Sequence, residues 1–318
     1  MGTQDALWET FFELLGINSP SGREHVLAQH LEAELQELGF AVRRDCAGNV
    51  IASAHGEGEP LLLCAHMDTV EPTEGLTIID EDGVIRTDGT TILGADDKAG
   101  IAVILQAVKQ ARRRPCLELV FTVREETGLA GAKALDLSAL RARQGIIFDS
   151  GGPIGTVVTG APSQVKLVAR VKGKAAHAGV SPEQGINAIV VAAQGIVQMK
   201  LGRIDPETTA NVGVIKGGRV TNIVPELVEL RGEARSHSEE SLQAQMRAMQ
   251  AALEEAATEA GAEVAASWER SYSRFSVPQD HPLVQTTFQA ARELGLEPRT
   301  IKGGGGSDAN VFNAAGLE

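Results

Sequence analysis

The sequence has little positive charge and few aromatic rings. Its 29 Lys and Arg are outnumbered by 42 Asp and Glu, for a net charge of −13, and aromatics make up 3% of 318 residues. The longest basic run is the triplet Arg112 to Arg114. A nucleic-acid binder needs a cationic footprint and stacking surfaces, so that class is excluded. Cysteine is scarce as well: Cys46, Cys64 and Cys116 are odd in number, far apart and never in a CxxC pair. That usage suits a reducing, cytoplasmic setting and argues against both a disulfide framework and a thiolate zinc site. No apolar run is long enough to span a bilayer, so no membrane partner is expected. The opening MGTQDALWETFFELLG carries Asp5 and Glu9 and is not expected to act as a signal peptide. MGTQDA lacks the Ser or Thr that a myristoylation signal needs at its sixth position. What the chain does have is 43% hydrophobic residues, enough for one large core or one plus a satellite.

The order of patterns divides the chain. REHVLAQHLEAELQELGF reads as a helix, with Ser21 as its N-cap and Gly39 as its stop. Strand-like runs follow in FAVRRD, NVIASAH and PLLLCAHMD. GADDKAGIAVILQAVKQARRR reads as a buried helix, CLELVFTV as a strand, GAKALDLSAL as a helix and QGIIFDS as a strand. Strand and helix in this alternation predict an α/β fold with a parallel sheet covered on both faces. After GGPIGTVVTGAPS the period changes. QVKLVARVKG alternates as a half-exposed antiparallel strand does, and a βαββαβ order follows. That order predicts a ferredoxin-like unit over residues 163–274, inserted into a domain made of 1–162 and 275–318.

Three strands of the parallel part end on chemistry. PLLLCAHMD ends in His66 and Asp68, LELVFTVREE in Glu125 and Glu126, and QGIIFD in Asp149. GADDKAG places Asp96 and Asp97 at a helix start between the first two. In open α/β sheets, ligands bind outside the carboxyl ends of the strands. Taken singly, each piece has an ordinary explanation, such as a charged surface turn or an acidic helix start. Together they bring one imidazole and up to six carboxylates to one edge. Such a cluster repels itself, and bound metal is the simplest way to hold it. Histidine with carboxylates and no thiolate suits Zn, Co or Mn. In this reading Glu126 ligates an ion and Glu125 takes a proton from water.

The series AHMDTV, LGADDKAG, REETGLAGAKAL, FDSGG, AAHAG, GGRVTNIVPE and GGGSDAN resembles the co-catalytic zinc peptidases of the peptidase T, glutamate carboxypeptidase and aminoacylase superfamily. The resemblance covers nearly the whole chain and is strongest to peptidase T-like proteins. It implies an αβα zinc-peptidase catalytic domain with an inserted α+β lid that often mediates homodimerisation. It also implies two zinc ions per subunit. His66 and Asp149 would bind one, Asp96 would bridge, and Glu126 would bind the second. Asp68 would orient His66 from behind, and Glu125 would act as general base and then as acid for the leaving amine. The Asp96–Asp97 peptide would be cis, as is frequent in the family. On the lid, His177 would help stabilise the oxyanion, often at the partner subunit's site. Arg235 and Asn222 would hold the substrate's carboxylate or backbone. KGGGGSDAN, with Ser307 or Asp308 as a helix N-cap, would line the substrate pocket.

One departure from the family pattern bears on the metals. The family places a second-zinc histidine and a final sheet strand beyond the GGGSD segment, and residues 308–318 contain no histidine. The first site (His66, Asp96, Asp149) is complete, while the second is expected to be weakened and a sheet edge exposed. The preferred activity is hydrolysis of short peptides, in the manner of a tripeptide aminopeptidase. An N-acyl-amino-acid amidohydrolase, a carboxypeptidase and a metal-binding protein without turnover stay open as alternatives.

Overall fold

The run LLCA (62–65) alternates between two destinations. Leu62 and Cys64 join one apolar cluster, Leu63 and Ala65 another, and all four are nearly solvent-free. A strand buried on both faces needs a layer on each side, because successive side chains point oppositely. The computed structural model, which describes residues 3–111 and 113–318, supplies both layers. Met1 and Gly2 of the opening hexapeptide, and Arg112 of the basic triplet, lie outside the described residues.

In chain order the first elements are α1 (Thr3–Leu15), α2 (His25–Glu37), β1 (Ala41–Arg44), β2 (Val50–Ala54), β3 (Glu57–His66), β4 (Ile78–Glu81), β5 (Val84–Thr87), α3 (Ala95–Gln110), β6 (Pro115–Thr122), α4 (Ala130–Ala134) and β7 (Gly145–Ile147). Five strands form one sheet in the order β1-β2-β6-β3-β7. On one face lie Leu14 of α1, Leu27, Leu31 and Leu35 of α2, and Ile101, Ile104 and Leu105 of α3. Their three- and four-residue spacing makes an apolar stripe on each helix. Each fully buried leucine contributes about 1.5–3 kcal/mol relative to exposure. The other face packs Ile51, Leu62, Cys64 and Val120 against Ala132, Leu135, Phe312 and Leu317.

The sheet is mixed, where the sequence pattern predicts a parallel one. β3 pairs in parallel with β6 and β7, but β1–β2 and β2–β6 are antiparallel. The β1–β2 pair is set by the short turn at Asp45, whose Oδ1 accepts from the backbone N–H groups of Ala47, Gly48 and Asn49, each at 2.9 Å. A turn this short joins only antiparallel strands. The N-terminal expectation for α2 also needs correction, since the helix is preceded by Glu24 rather than capped by Ser21. Gly39 does end it, at a φ of 82° with its N–H on the Gln36 carbonyl at 3.0 Å. Ser21 is engaged elsewhere, as described below. α1, which the opening segment forms, has no counterpart in the sequence reading.

The remaining elements are β8 (Thr156–Ala161), β9 (Ser163–Lys172), α5 (Ala188–Gln198), β10 (Gly202–Asp205), β11 (Thr208–Gly217), β12 (Leu227–Ser236), α6 (Glu239–Ala260), β13 (Glu263–Tyr272), β14 (Phe275–Ser276), α7 (Pro282–Glu293), β15 (Arg299–Lys302) and α8 (Asp308–Ala314). An antiparallel sheet in the order β10-β11-β12-β9-β13 carries α5 and α6. Without the short β10 this is the βαββαβ arrangement expected. β9 buries Val165, Leu167, Ala169 and Val171 alternately, beside Leu242, Met249 and Leu253 of α6. Asn187 caps α5 by accepting from Ile189 and Val190, and Gly261 closes α6 with a positive φ of 68°.

The chain resolves into two compact units. One comprises the chain up to Val157, Gln279–Arg299 and Ser307–Glu318; the other comprises Val158–Pro278 and Thr300–Gly306. The segment 300–306 thus groups with the inserted unit rather than with the flanking sequence. β7 is an edge of the five-stranded sheet, and Glu318 bonds along it, accepting from Gly145 N–H at 2.7 Å and donating to the Arg143 carbonyl at 2.9 Å.

Candidate metal centre

The parallel strands deliver their termini to one edge of the first unit. His66 closes β3 opposite Thr122, the last residue of β6, and Met67 N–H donates to the Thr122 carbonyl at 2.8 Å. On the other side Cys64 pairs with Ile147 and Phe148 N–H donates to the Cys64 carbonyl at 2.9 Å, so Asp149 emerges from the same end. Asp96 and Asp97 open α3 with non-helical backbone, joined by a cis peptide.

One ligand atom each from His66, Asp96 and Glu126 lies within 4.8 Å of the others. His66 is almost wholly buried. Its Nδ1 sits 2.8 Å from the Asp68 carbonyl oxygen, and its Nε2 3.1 Å from Asp96 Oδ1. A carbonyl only accepts, so Nδ1 carries a proton, and Nε2 is the ring nitrogen that faces the carboxylates and would take a ligand bond in place of its own proton. Asp149 does not join this triple. It acts on it as a neighbouring charge, helping to hold the ring's proton.

Asp68 stands behind His66 and also has a second task. The His66 ring is oriented by the Asp68 main-chain carbonyl, while the nearer carboxylate oxygen stands 3.5 Å from Nδ1. The fully buried carboxylate accepts from Ser21 Oγ at 2.6 Å, Glu125 N–H at 2.8 Å and Glu126 N–H at 3.2 Å. It therefore clamps the turn that presents both glutamates. That turn leaves β6 through Arg124 at a φ of 52° and is closed by Gly128 and Leu129 N–H groups donating to the Glu125 carbonyl. Gly131 anchors its far end: a Cβ there would lie 2.3 Å from the Val123 carbonyl oxygen. Two acids can follow a buried strand here because a third, fully paired acid holds their amides.

The rim groups shift one another strongly. Burial, with Asp149 adding to it and His66 opposing, pushes Glu125 up to about 8. Burial also raises Glu126, with Asp96, Asp68 and Asp149 contributing. Asp149 is lifted to about 6 by burial, which outweighs His66, with help from Asp96 and Asp68. Burial works against a charged His66, yet the hydrogen bonds to Asp68 and Asp96 and the charges of Asp149 and Asp97 prevail and push it up to about 12. The donor set, one imidazole nitrogen and converging carboxylate oxygens without sulfur, fits a divalent ion of the zinc, cobalt or manganese kind.

Other expected residues fall differently. Asp97 faces inward: Oδ2 accepts from His66 N–H at 3.3 Å and Oδ1 from Gly100 N–H at 3.1 Å, so it braces the rim. Asp308, expected to line the substrate pocket, is interior. Thr122 Oγ1 donates to its Oδ2 at 2.5 Å, and its Oδ1 is buried without a partner. Residues at the first turn of α8 are drawn into the sheet's second apolar layer by Phe312, which leaves Asp308 no route to solvent. Ser307 is the N-cap of α8, with Asn310 Oδ1 accepting from its N–H at 3.0 Å.

In the second unit, His177 and Asn222 meet through backbone pairing. His177 bridges Ile223, and Ala178 N–H donates to the Asn222 carbonyl at 3.0 Å; both side chains are exposed. Arg235 presents its fork to Glu233, at 2.9 Å and 3.2 Å, so a substrate carboxylate would compete with that pair. Ser21 and Thr122 are the contributors sequence reading missed. Ser21 resembled a helix cap, and Thr122 is placed only by strand register.

A sheet with a histidine–carboxylate rim at its parallel strand ends, in a chain that also carries an antiparallel α+β unit, marks a metallopeptidase. A family model for a peptidase dimerisation domain matches residues 160–261, and one for peptidase family M28 matches residues 49–155. YqjE of Bacillus subtilis is 41% identical across all of this chain and 89% of its own length. A tripeptidase from Staphylococcus aureus superposes with a TM-score of 0.94 at 39% identity, covering 100% of this chain and 88% of that one. An aminopeptidase PepT from Bacillus cereus gives a TM-score of 0.90 at 39% identity over 99% and 89%. The chain belongs to the peptidase T-like branch of the M20 metallopeptidase superfamily.

Proposed function

We propose that this protein is a zinc-dependent exopeptidase acting on short peptides, with tripeptide aminopeptidase activity. The observation that carries the reading is the convergence of His66 Nε2, Asp96 and Glu126 beside a glutamate, Glu125, whose carboxyl is tuned to about 8. His66, Asp96, Glu126 and Asp149 would hold the metal, with cobalt and manganese as substitutes for zinc. When bound, the metal polarises the scissile carbonyl and lowers the pKa of water. Asp68 holds the Glu125–Glu126 turn through three donors, so Glu125 meets the attacking water at a fixed position. With a cation held beside it Glu125 would be ionised, and its carboxylate would take that water's proton and return it to the leaving amine. The tripeptidase and aminopeptidase names of the relatives at 39% identity favour this substrate class.

The first compact unit is read as the catalytic domain and the second as a lid that makes a homodimer, in keeping with the match to a dimerisation domain. On the lid, His177 is read as an oxyanion donor to a partner subunit, and Arg235 and Asn222, with Ser307 of the first unit, as substrate contacts. No helix among the described residues is long and apolar enough to cross a membrane, and all three cysteines are free, which suits a cytoplasmic setting. A second reading, a carboxypeptidase or N-acyl-amino-acid amidohydrolase, draws on 30% identity to carboxypeptidase G2 over 73% of this chain. Tripeptides with free and with blocked α-amines, assayed side by side, separate the two. For the central assignment, Glu125→Gln is expected to keep its metal and lose about 100-fold or more in kcat. Undiminished turnover in that variant would remove Glu125 as the base.

A further inference from the structure

The open face of the sheet in the second unit carries one arginine that is held differently from its neighbours. Strand register sets Arg235 of β12, Gln164 of β9 and Tyr272 of β13 side by side, while Ala234 and Val165, on the opposite face, join the apolar cluster under α6. Arg235 Nε and Nη2 donate to the two oxygens of Glu233 at 2.9 Å and 3.2 Å. Behind this pair Gln164, 7% exposed, donates from Nε2 to Glu233 Oε2 at 2.6 Å. The arrangement four residues earlier on β12 is looser. There Glu229 is shared between Arg231 and Arg170, both mostly exposed, and no buried side chain among the described residues braces it.

A guanidinium carries its N–H donors in a fixed fork, and Glu233 engages only the side formed by Nε and Nη2. The end-on edge, Nη1 with the outer N–H of Nη2, makes no other hydrogen bond among the described residues and suits a second carboxylate. Nη1 lies beside the glycine strap 303–306. An added Cβ at Gly305 would stand 3.9 Å from Nη1, one at Gly304 would meet nothing within 4 Å, and one at Gly306 would fall on the Tyr272 ring. The strap is fastened within the same unit. Gly303 N–H donates to the Gly160 carbonyl at 2.7 Å, His237 Nε2 donates to the Gly303 carbonyl at 2.9 Å, and Lys302 pairs with Glu207 at 2.7 Å. Side chains missing at Gly304 and Gly305 keep the space beside Nη1 clear.

We propose that Glu233, braced by Gln164, is a positioning residue that holds Arg235 with its end-on edge beside the glycine strap, ready for the free α-carboxylate of a peptide substrate. This rests on the reading of Arg235 as a substrate contact. A guanidinium fixed in advance gives up little rotamer freedom on binding, and the charge of Glu233 lets it stay half-buried without a ligand. The device favours peptides with an unblocked C-terminus over their amides.

The test compares trialanine with trialanine amide on the zinc-loaded full-length protein. In the native chain the acid is expected to have a KM about tenfold or more below that of the amide, because the amide forgoes a charge-assisted fork. Glu233→Gln keeps the shape but sets an NH2 group against donors. KM for the acid is then expected to rise about tenfold with kcat nearly unchanged, and both constants for the amide to hold. A merely structural role would move acid and amide together. Gln164→Met removes the brace alone, is expected to raise KM for the acid about threefold, and serves if the Glu233 variant does not fold. Equal losses on acid and amide, or a native KM for the acid in both variants, would overturn the proposal. So would a lower KM for the acid in Glu233→Gln, which would make the glutamate a competitor for the arginine. If the native protein hydrolyses neither peptide, the exopeptidase reading fails by itself. Calorimetric titration of the same proteins with the same two peptides then decides the positioning, with the acid-over-amide preference lost in Glu233→Gln as the supporting result and its persistence or absence throughout as the contrary one.

Discussion

Replacing Asp68 by asparagine tests how the rim is built. The side chain keeps its shape, but one of its two oxygens becomes an NH2 group. In the native protein those oxygens accept from Ser21 Oγ at 2.6 Å, Glu125 N–H at 2.8 Å and Glu126 N–H at 3.2 Å. Asparagine satisfies at most one side of this arrangement and sets a donor against a donor on the other. A hydrogen bond to a charged group is worth about 1.5–3 kcal/mol, so losing one from the turn that aims Glu125 corresponds to roughly 10- to 150-fold in kcat/KM. The His66 ring is oriented by the Asp68 carbonyl, which asparagine retains, so bound zinc is expected to stay within a small factor of the native content. Ser21→Ala removes one donor to the carboxylate but leaves both amide bonds to the glutamate turn in place, so kcat/KM is expected to fall by no more than about tenfold, the low end of that range. The assay is tripeptide hydrolysis at saturating zinc, with metal content measured on the same samples. Native kcat/KM in Asp68→Asn, or an equal loss in Ser21→Ala, would refute the clamp.

Metal-free protein is expected to lose thermal stability as pH rises. Burial holds Asp149 and Asp308 near 6, Glu125 near 8 and Asp97 near 9, against ordinary values of 3.8 for Asp and 4.5 for Glu. The folded chain therefore binds more protons than the unfolded one. The stability these groups contribute is full below about pH 4 and is lost as pH climbs through 6 to 9. His66, pushed from 6.5 to about 12, has the same sign above 6.5. A divalent ion on the rim would take the place of the protons of its ligands, so the loaded protein should show a smaller fall; a metal-free Tm that rises between pH 5 and 9 would contradict the account. His177→Ala is expected to lower kcat with KM and dimer fraction unchanged, and full kcat would remove its oxyanion role. Arg235→Ala is expected to act mainly on KM, which a fall confined to kcat would disprove.

Much of this was legible because hydrophobic period and strand-end chemistry are written locally. Alternation in QVKLVARVKG and the continuous run LLLCA specified a half-exposed strand and a doubly covered one, and both formed. His66, Asp96 and Glu126 converge because β3 and β6 are parallel neighbours and α3 starts at the same edge. What stayed hidden depends on partners distant in sequence. Ser21 looks like a cap and instead reaches a carboxylate 47 residues away. Asp308 looks like a loop acid and is pulled inward with Phe312 to meet Thr122 across 186 residues. The antiparallel start of the sheet follows from one aspartate turn, whose hairpin geometry outranks the parallel rhythm of the later strands.

The most direct test of the central claim is anomalous scattering at the zinc absorption edge from crystals of the zinc-loaded protein. The account predicts a peak within bonding distance of His66 Nε2 and of carboxylate oxygens of Asp96 and Glu126. A zinc-saturated, active protein whose only peaks lie away from these three side chains would contradict it.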